Sequence, residues 1–240
     1  MKKVLITGAN KGIGFETAKQ LAELGFYVYL GSRDKKRGTE AVEKLKELGL
    51  TNVEDIEIDV ADIASVKQAR AELEAKIEAL DVLINNAGIS GEQPQNFSTG
   101  NMENLRRIFD TNFFGAIQTT QQFIPLLSKS GEPVIVNVSS EMGSLAMHSS
   151  PSRNPNRDLY NAYGSSKTAL NAFTLMLANE LENTNFKINS ATPGYTATDL
   201  NNNKGIKTTA EGAKPIVKAA TLSDGGITGK FFKEGGEVSW

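Results

Sequence analysis

The sequence predicts an α/β protein: a doubly wound parallel sheet of about seven strands with helices on both faces, a three-layer sandwich. Two observations carry this. Short β-branched runs alternate with longer segments of helical periodicity, the order that parallel strands joined by helical crossovers require. Most of the short runs lack clean apolar–polar alternation, as strands do when both sheet faces are covered. Right-handed crossovers onto both faces then complete the sandwich. The length agrees: 240 residues, 39% hydrophobic and 22% charged, suit one large domain over 1–240 with a sizeable core.

The first run, Lys3–Thr7, precedes a helix over Gly12–Leu24 with Ile13, Thr17, Leu21 and Leu24 on one stripe. The second, Tyr27–Gly31, precedes a helix over Thr39–Leu48, where Val42, Leu45 and Leu48 oppose lysines and glutamates. The third, Val53–Ile58, leads into Ile63–Leu80, with Val66, Ala69, Leu73 and Ile77 inward at spacings of three and four. Val82–Asn85, Val134–Ser139, Lys187–Ala191 and a final run at Lys230–Phe232 complete the strands, and Thr209–Ala220 reads as a short helix. His148–Asp158, with two prolines and two asparagines, reads as a surface insertion in which His148 is solvated. After Thr198 the chain turns polar, and 195–221 reads as a lid region with Asn201–Gly205 as its mobile part.

Composition excludes several classes of function. Lysine and arginine number 26 against 28 aspartate and glutamate, a net charge of −2, which gives no electrostatic reason to expect nucleic acid or an anionic membrane as partner. The absence of cysteine rules out disulfides, thiolate metal sites and cysteine nucleophiles. A single histidine, His148, rules out a polyhistidine metal site and argues against a Ser-His-Asp triad, so no metal is expected. The apolar run at the N-terminus, Val4–Ile6, is too short for a signal peptide, and no stretch approaches a membrane span. Together these features predict a cytoplasmic protein.

A glycine loop, Thr7–Glu16, joins the first strand to the first helix, with glycines at Gly8, Gly12 and Gly14. Glycines there let bare backbone approach a pyrophosphate, whose charge a helix N-terminus favours; a tight strand–helix turn is the plainer reading. Gly8, Asn10, Lys11, Gly12, Ile13 and Gly14 are the candidate contacts. Arg33 follows Gly14 by nineteen residues at the end of the second strand, close to the roughly 20 at which a dinucleotide fold reads the ribose. Ser32 stands where an acid would grip a 2′-hydroxyl, whereas Arg33, with Lys11 as a nearby point charge, suits a 2′-phosphate. Asp34 competes as a partner for Arg33. The pattern favours NADPH/NADP+ over NADH.

Further along stand Asn85-Asn86-Ala87-Gly88 after the fourth strand, Ser139-Ser140 after the fifth, and Tyr163-Gly164-Ser165-Ser166-Lys167 on a helix. With the glycine loop, Asp59-Val60, Asn112 within TNFFG, and Pro193-Gly194, the chain from Lys3 to about Leu200 resembles the short-chain dehydrogenase/reductase family. Within that family it looks like the carbonyl reductase branch. The resemblance implies a Rossmann-like fold and reversible, NADPH-dependent reduction of an aldehyde or ketone, with a small-molecule carbonyl or alcohol as substrate. It implies that Tyr163 donates the proton, Ser140 hydrogen-bonds the substrate oxygen, Lys167 holds the nicotinamide ribose, and Asn112 supports a proton relay. Pro193, Gly194 and Thr196 would meet the nicotinamide end, Asp59 and Val60 the adenine, and Asn86, Ala87 and Gly88 the cofactor trough.

Elementary chemistry supports the pair independently. Tyr163 and Lys167 are four apart, hence on one helix face. An ammonium beside a phenol of pKa near 10 favours the phenolate. Strand alternation sends Ser139 and Ser140 to opposite faces, and Tyr160 has Gly164, not lysine, four residues on. Ser140 and Tyr163 are 23 residues apart, wider than most of the family shows; a longer insertion here goes with monomers in the carbonyl reductase branch, but this one is shorter, so the resemblance implies either a monomer or a homo-oligomer. Two other functions compete with the reductase, a non-catalytic NADP(H) sensor and a nucleotide-sugar epimerase or dehydratase. The intact tyrosine–lysine pair argues against the first and the short C-terminal remainder against the second.

Overall fold

The structure is a computed structural model that describes residues 1–151, 159–222 and 226–240. Strands β1 (Lys3–Ile6), β2 (Tyr27–Ser32), β3 (Val53–Glu57), β4 (Val82–Asn85), β5 (Val134–Val138), β6 (Lys187–Ala191), β7 (Phe231–Lys233) and β8 (Gly236–Glu237) form one sheet. Their order is β3-β2-β1-β4-β5-β6-β7-β8. Every neighbouring pair is parallel except β7 and β8. The eighth strand corrects the expected seven: the chain turns back after Lys233, pairing Phe232 with Glu237, and a two-residue strand carries no periodicity to read. The order reverses between β1 and β4, and in such sheets ligands bind beyond the carboxyl ends of the strands at that switch point.

The helices are α1 (Gly12–Glu23), α2 (Lys35–Glu47), α3 (Ile63–Lys76), α4 (Met102–Phe109), α5 (Gly115–Leu127), α6 (Leu145–Ser149), α7 (Asn161–Glu180) and α8 (Thr209–Ala220). Helix α2 starts at Lys35 rather than Thr39 because Asp34 caps it, its Oδ1 accepting from Arg37 N (3.1 Å). Helix α3 stops at Lys76 rather than Leu80. Ile77 is extended, yet Ile77 and Leu80 remain buried, which is why the apolar spacing runs past the helix. His148 and Ser149 belong to α6, so the loop reading is corrected there, while 152–158 fall outside the described residues. His148 is half-buried, with Nε2 2.8 Å from Met142 O, not simply solvated.

Strand β1 explains the missing alternation. Val4 and Ile6 point into one core with Ala18 and Leu21 of α1, Val42 and Leu45 of α2, and Ile216 of α8. Leu5 points into the other with Val66 and Leu73 of α3, Phe123 of α5 and Leu177 of α7. Successive side chains thus enter opposite apolar layers, and each position is hydrophobic. Helix α8 is part of the first layer, its Ala213, Ile216 and Ala219 buried, which leaves the lid reading to the residues before Thr208. Among the described residues no helix is long and apolar enough to cross a membrane, and no cluster of acidic or histidine side chains could hold a metal ion.

One polar ladder crosses the second layer. Asn85 Nδ2 donates to Asn137 Oδ1 (2.8 Å) and to Thr120 Oγ1 (2.9 Å), Asn137 Nδ2 donates to Thr174 Oγ1 (2.8 Å), and Thr174 Oγ1 lies 2.8 Å from Ser190 Oγ. Strands β4, β5 and β6 are thereby tied to α5 and α7 with every one of these residues buried. Replacing Asn137 with leucine removes its bonds to Asn85 and Thr174 and strands one amide proton of Asn85, about 1–3 kcal/mol for that buried group. A urea titration of Asn137→Leu is expected to show a clear fall in midpoint; an unchanged midpoint would remove the ladder from the stability of the fold.

Candidate active site

The cleft lies where β1 and β4 end side by side. Thr7 Oγ1 accepts the N–H groups of Asn86 (3.1 Å) and Ala87 (3.0 Å), and Asn86 Nδ2 donates to the carbonyls of Thr7 (2.9 Å) and Gly8 (3.0 Å). The glycine loop and the Asn86-Ala87-Gly88 loop are therefore sewn together. Two glycines serve this seam. Gly8 has φ +62°, and a Cβ on it would lie 2.8 Å from Ala87 Cα; on Gly14 it would lie 2.7 Å from Gly8 O. At Gly12, by contrast, a Cβ would meet only the Thr198 methyl at 3.7 Å, so this glycine faces the open cleft. Helix α1 starts here with no side-chain cap on its N-terminus, leaving amide N–H groups free for an anion. Asn10 is half-buried beside them and Ile13 packs on the first core.

At the end of β2 the side chains divide their tasks. Ser32 Oγ donates to Asp34 O (2.9 Å) and is buried. Asp34 pairs with Arg37 (3.5 Å) as well as capping α2, so it does not compete for Arg33. Arg33 is exposed, with no ion pair among the described residues. Lys11 differs from expectation: its Nζ forms an ion pair with Asp199 (2.7 Å), both side chains exposed, and Lys11 holds the Asp199 carboxyl below its usual range. Lys11 thus clasps the glycine loop to the segment after β6. Asp59 is half-buried with Oδ1 accepting from Ala61 N (3.0 Å), and buried Val60 accepts from Gln118 through its carbonyl.

Asn112 sits in a π-helical turn, Asp110–Phe114, between α4 and α5, a distortion that recurs at functional sites. It is 1% exposed. Its Oδ1 accepts from Ile89 N (2.8 Å), and its Nδ2 donates to Ile89 O (2.9 Å) and Ser166 Oγ (3.0 Å). Both amide protons are spent, and one lone pair of Oδ1 remains. Gly88 lies alongside: a Cβ there would be 3.3 Å from Asn112 Oδ1 and 3.6 Å from Lys167 Nζ.

Ser140 begins a 3₁₀ turn, Glu141–Gly143, its Oγ accepting from Met142 N (3.2 Å). A Cβ on Gly143 would lie 2.7 Å from the Lys167 carbonyl carbon, so the turn rests directly on the α7 backbone and Ser140 hydrogen-bonds the Tyr163 phenol. Ser139 is buried, its backbone N–H donating to Ala191 O (2.8 Å). Lys167 is 4% exposed and donates from Nζ to Val138 O (2.8 Å), with Nζ 5.9 Å from the Tyr163 ring centroid. Burial pushes the lysine down to about 8. The phenol is pushed up to about 12, again by burial, and the Ser140 bond pulls it back. The expected lowering by Lys167 is not what acts on the phenol here: the ammonium is turned to a carbonyl, and Ser140 is the group that favours the phenolate.

After β6, Gly194 takes φ +73° and donates its N–H to Thr192 Oγ1 (3.2 Å), just beyond Pro193. Thr196 departs from its expected place. It is 3% exposed, donates to Pro193 O (3.1 Å), and lies so close to Gly212 of α8 that a Cβ there would be 2.5 Å from its Oγ1. Its hydroxyl is spent on the chain itself, and Thr198 is the threonine that approaches Gly12. Sequence reading also missed Thr7, which ends a strand like any β-branched residue, and Ser166, which donates to Tyr163 O (2.7 Å).

The Lys167 shift has a definite sign in stability. Unfolded, the amine holds its proton up to the ordinary 10.5; folded, only to about 8. The unfolded state binds more protons between those values, so stability due to this residue rises with pH through that window. Lys167→Met cannot titrate, so its advantage in urea midpoint over the unsubstituted protein is expected to shrink from pH 8 to pH 10. A difference independent of pH would refute the depressed lysine.

Comparison with known proteins gives the family and the fold. A family profile described as short chain dehydrogenase matches residues 2–208. The chain is 34% identical to a (+)-neomenthol dehydrogenase of Capsicum annuum over 297 aligned positions, covering 95% of this chain and 94% of that protein. The solved structure of salutaridine reductase from Papaver somniferum superposes with a TM-score of 0.85 at 31% identity, over 97% of this chain and 99% of the other. An NADPH-bound carbonyl reductase from chicken fatty liver superposes with a TM-score of 0.86 at 27% identity, over 100% and 99%.

Proposed function

The chain belongs to the short-chain dehydrogenase family, an oxidoreductase of carbonyl and alcohol groups, and from that premise we infer that it reduces an aldehyde or ketone to an alcohol with NADPH. The observation that carries this reading is the convergence of Ser140, Tyr163, Lys167 and Asn112 beside Gly88, next to a glycine loop open at Gly12. Family members bind NAD(P), and the residues present fit it: the free N–H groups at the start of α1 suit a pyrophosphate, and Arg33, without an ion pair, suits a 2′-phosphate. Gly8, Asn10, Gly12, Ile13 and Gly14 would line the pyrophosphate, Asp59 and Val60 the adenine, and Pro193 and Gly194 the nicotinamide end. Lys11 would reach the 2′-phosphate only by leaving Asp199. When bound, NADPH supplies the hydride.

The chain's own residues supply the rest. The Ser140 hydroxyl donates to the substrate oxygen as negative charge develops on it, and Tyr163 passes its proton to that same oxygen. Lys167 would hold the ribose hydroxyls from its buried position, and the Ser140 hydrogen bond favours the phenolate that Tyr163 becomes. Asn112 keeps the loop at Ile89 in place and offers its remaining lone pair to a water that returns protons to Lys167. Exposed Leu145, Tyr195 and Ile206, on the segments leading away from Ser140 and Gly194, would face an apolar substrate body. A near-neutral net charge of −2 and a composition without cysteine support a cytoplasmic enzyme.

The test is NADPH oxidation against a panel of aldehydes and ketones. Tyr163→Phe is expected to lower kcat about 100- to 10,000-fold with NADPH still bound; full activity in that variant would defeat the mechanism. Arg33→Ala is expected to raise the KM for NADPH about tenfold or more and leave that for NADH unchanged. Equal effects on the two would reject the 2′-phosphate contact.

A further inference from the structure

The loop from β4 to α4 is gripped by three buried carboxamides. Asn112 holds Ile89 at both its N–H and its carbonyl. Asn104, within α4, does the same to Glu92: Oδ1 accepts from Glu92 N (3.0 Å) and Nδ2 donates to Glu92 O (2.8 Å). Gln95 takes the third hold, its Nε2 donating to Ser90 O (2.6 Å) and its Oε1 accepting the backbone N–H of Tyr163 (3.0 Å). Gln95 is 3% exposed, so neither bond competes with bulk water.

The second of those bonds falls on a particular amide. Tyr163 is the third residue of α7, and its N–H is among the four that a helix leaves without an internal partner. Tyr160, in the N-cap position, offers no side-chain cap. Gln95 supplies that cap from the loop, on the residue whose phenol faces Ser140. Its other end is fixed to Ser90, one residue beyond the Ile89 that Asn112 holds. The Tyr163 amide in the first turn of α7 is thus tied to the Gly88 side of the cleft through the Gln95 carboxamide, while Asn112 holds Ser166 one turn further on.

Resting on the reading of Tyr163 as proton donor, the geometry points to Gln95 as a positioning residue for the reaction: its carboxamide fixes the first turn of α7, and with it the placement of the phenol against Ser140 and the substrate oxygen. Gln95 touches no reacting atom. A misplacement of about 1 Å at a reacting group costs on the order of 100-fold in rate, so releasing this tie acts on kcat and leaves cofactor binding at the distant glycine loop alone.

The experiment compares Gln95→Leu, which loses both bonds, with Gln95→Glu, which keeps an oxygen acceptor for the Tyr163 N–H. In Gln95→Leu, kcat is expected to fall about 10- to 100-fold with the KM for NADPH within twofold. Amide hydrogen exchange at Tyr163 is expected to speed up while that at Thr174, deeper in α7, stays slow. Gln95→Glu, whose carboxylate accepts from the Tyr163 N–H but cannot donate to Ser90 O, is expected to recover the slow exchange at Tyr163 and part of the lost kcat. Should Gln95→Leu not fold, Gln95→Asn, which keeps the amide and shortens its reach, takes its place with the same expectations. A kcat within twofold of the unsubstituted protein, a loss that follows KM instead, or a glutamate variant no better than leucine would overturn the inference alone. If the unsubstituted protein reduces no carbonyl, the functional reading fails and this inference with it, an outcome the activity of the unsubstituted protein tells apart from the others.

Discussion

The carboxamide of Asn112 makes three hydrogen bonds from a position almost without exposed surface, and the rest of the cleft depends on that arrangement. A buried amide left unpaired is costly, so the two groups that Asn112 holds, the backbone of Ile89 and the hydroxyl of Ser166, have little freedom to move. Ile89 follows Gly88 at the mouth of β4, and Ser166 lies between Tyr163 and Lys167 on α7. This side chain, with Gln95 at the first turn of α7, therefore fixes the distance between the strand end and the helix that carries the acid–base pair. The π-helical turn around Asn112 is the local cost of aiming it inward.

The same principle runs through the molecule at larger scale. The ladder of Asn85, Asn137, Thr174 and Ser190 binds three central strands to α7, and the 3₁₀ turn at Gly143 rests on the α7 backbone at Lys167. Apolar packing on both sheet faces supplies the stability, but it is non-directional and does not by itself set where a phenol points. Buried hydrogen bonds do, because each is satisfied only in one geometry. Helix α7 is held in this way from the sheet beneath it at Thr174 and Lys167, from the π-helical turn at Ser166, and from the loop at its first turn.

Electrostatics in the cleft follows from burial more than from pairing. The Lys167 amine and the Tyr163 phenol are each displaced toward their neutral forms, as desolvation requires of opposite charge types. Neither is drawn into an ion pair with the other. At the outer edge the balance reverses: Lys11 and Asp199 are exposed and paired, an interaction worth little in water and therefore easily exchanged for a phosphate.

Helices α4, α5 and α6 came only with the structure, whereas the amino-acid sequence by itself determined the sheet, its six long strands, the helices α1, α2, α3, α7 and α8, and the placing of Tyr163 and Lys167 on one face of α7. Each leaves a local mark: β-branched runs, a three-to-four spacing, a tyrosine four residues before a lysine. What it left open were facts about partners distant in the chain. Whether Asp34 would neutralise Arg33 or cap α2, whether Lys11 stood free or held Asp199, and whether Thr196 faced the cleft or α8 all turn on neighbours that no periodicity encodes. The phenol's environment belongs to the same group, since the four-residue spacing set Lys167 near Tyr163 but not where its ammonium would turn. Gln95 and Asn104 were invisible for the same reason, lying where the chain has no repeat and acting only on backbone brought up by the fold. Local sequence fixes conformation through nearest-neighbour sterics and burial pattern, whereas hydrogen-bond partners in a packed interior are chosen by proximity, and proximity exists only once the layers have closed.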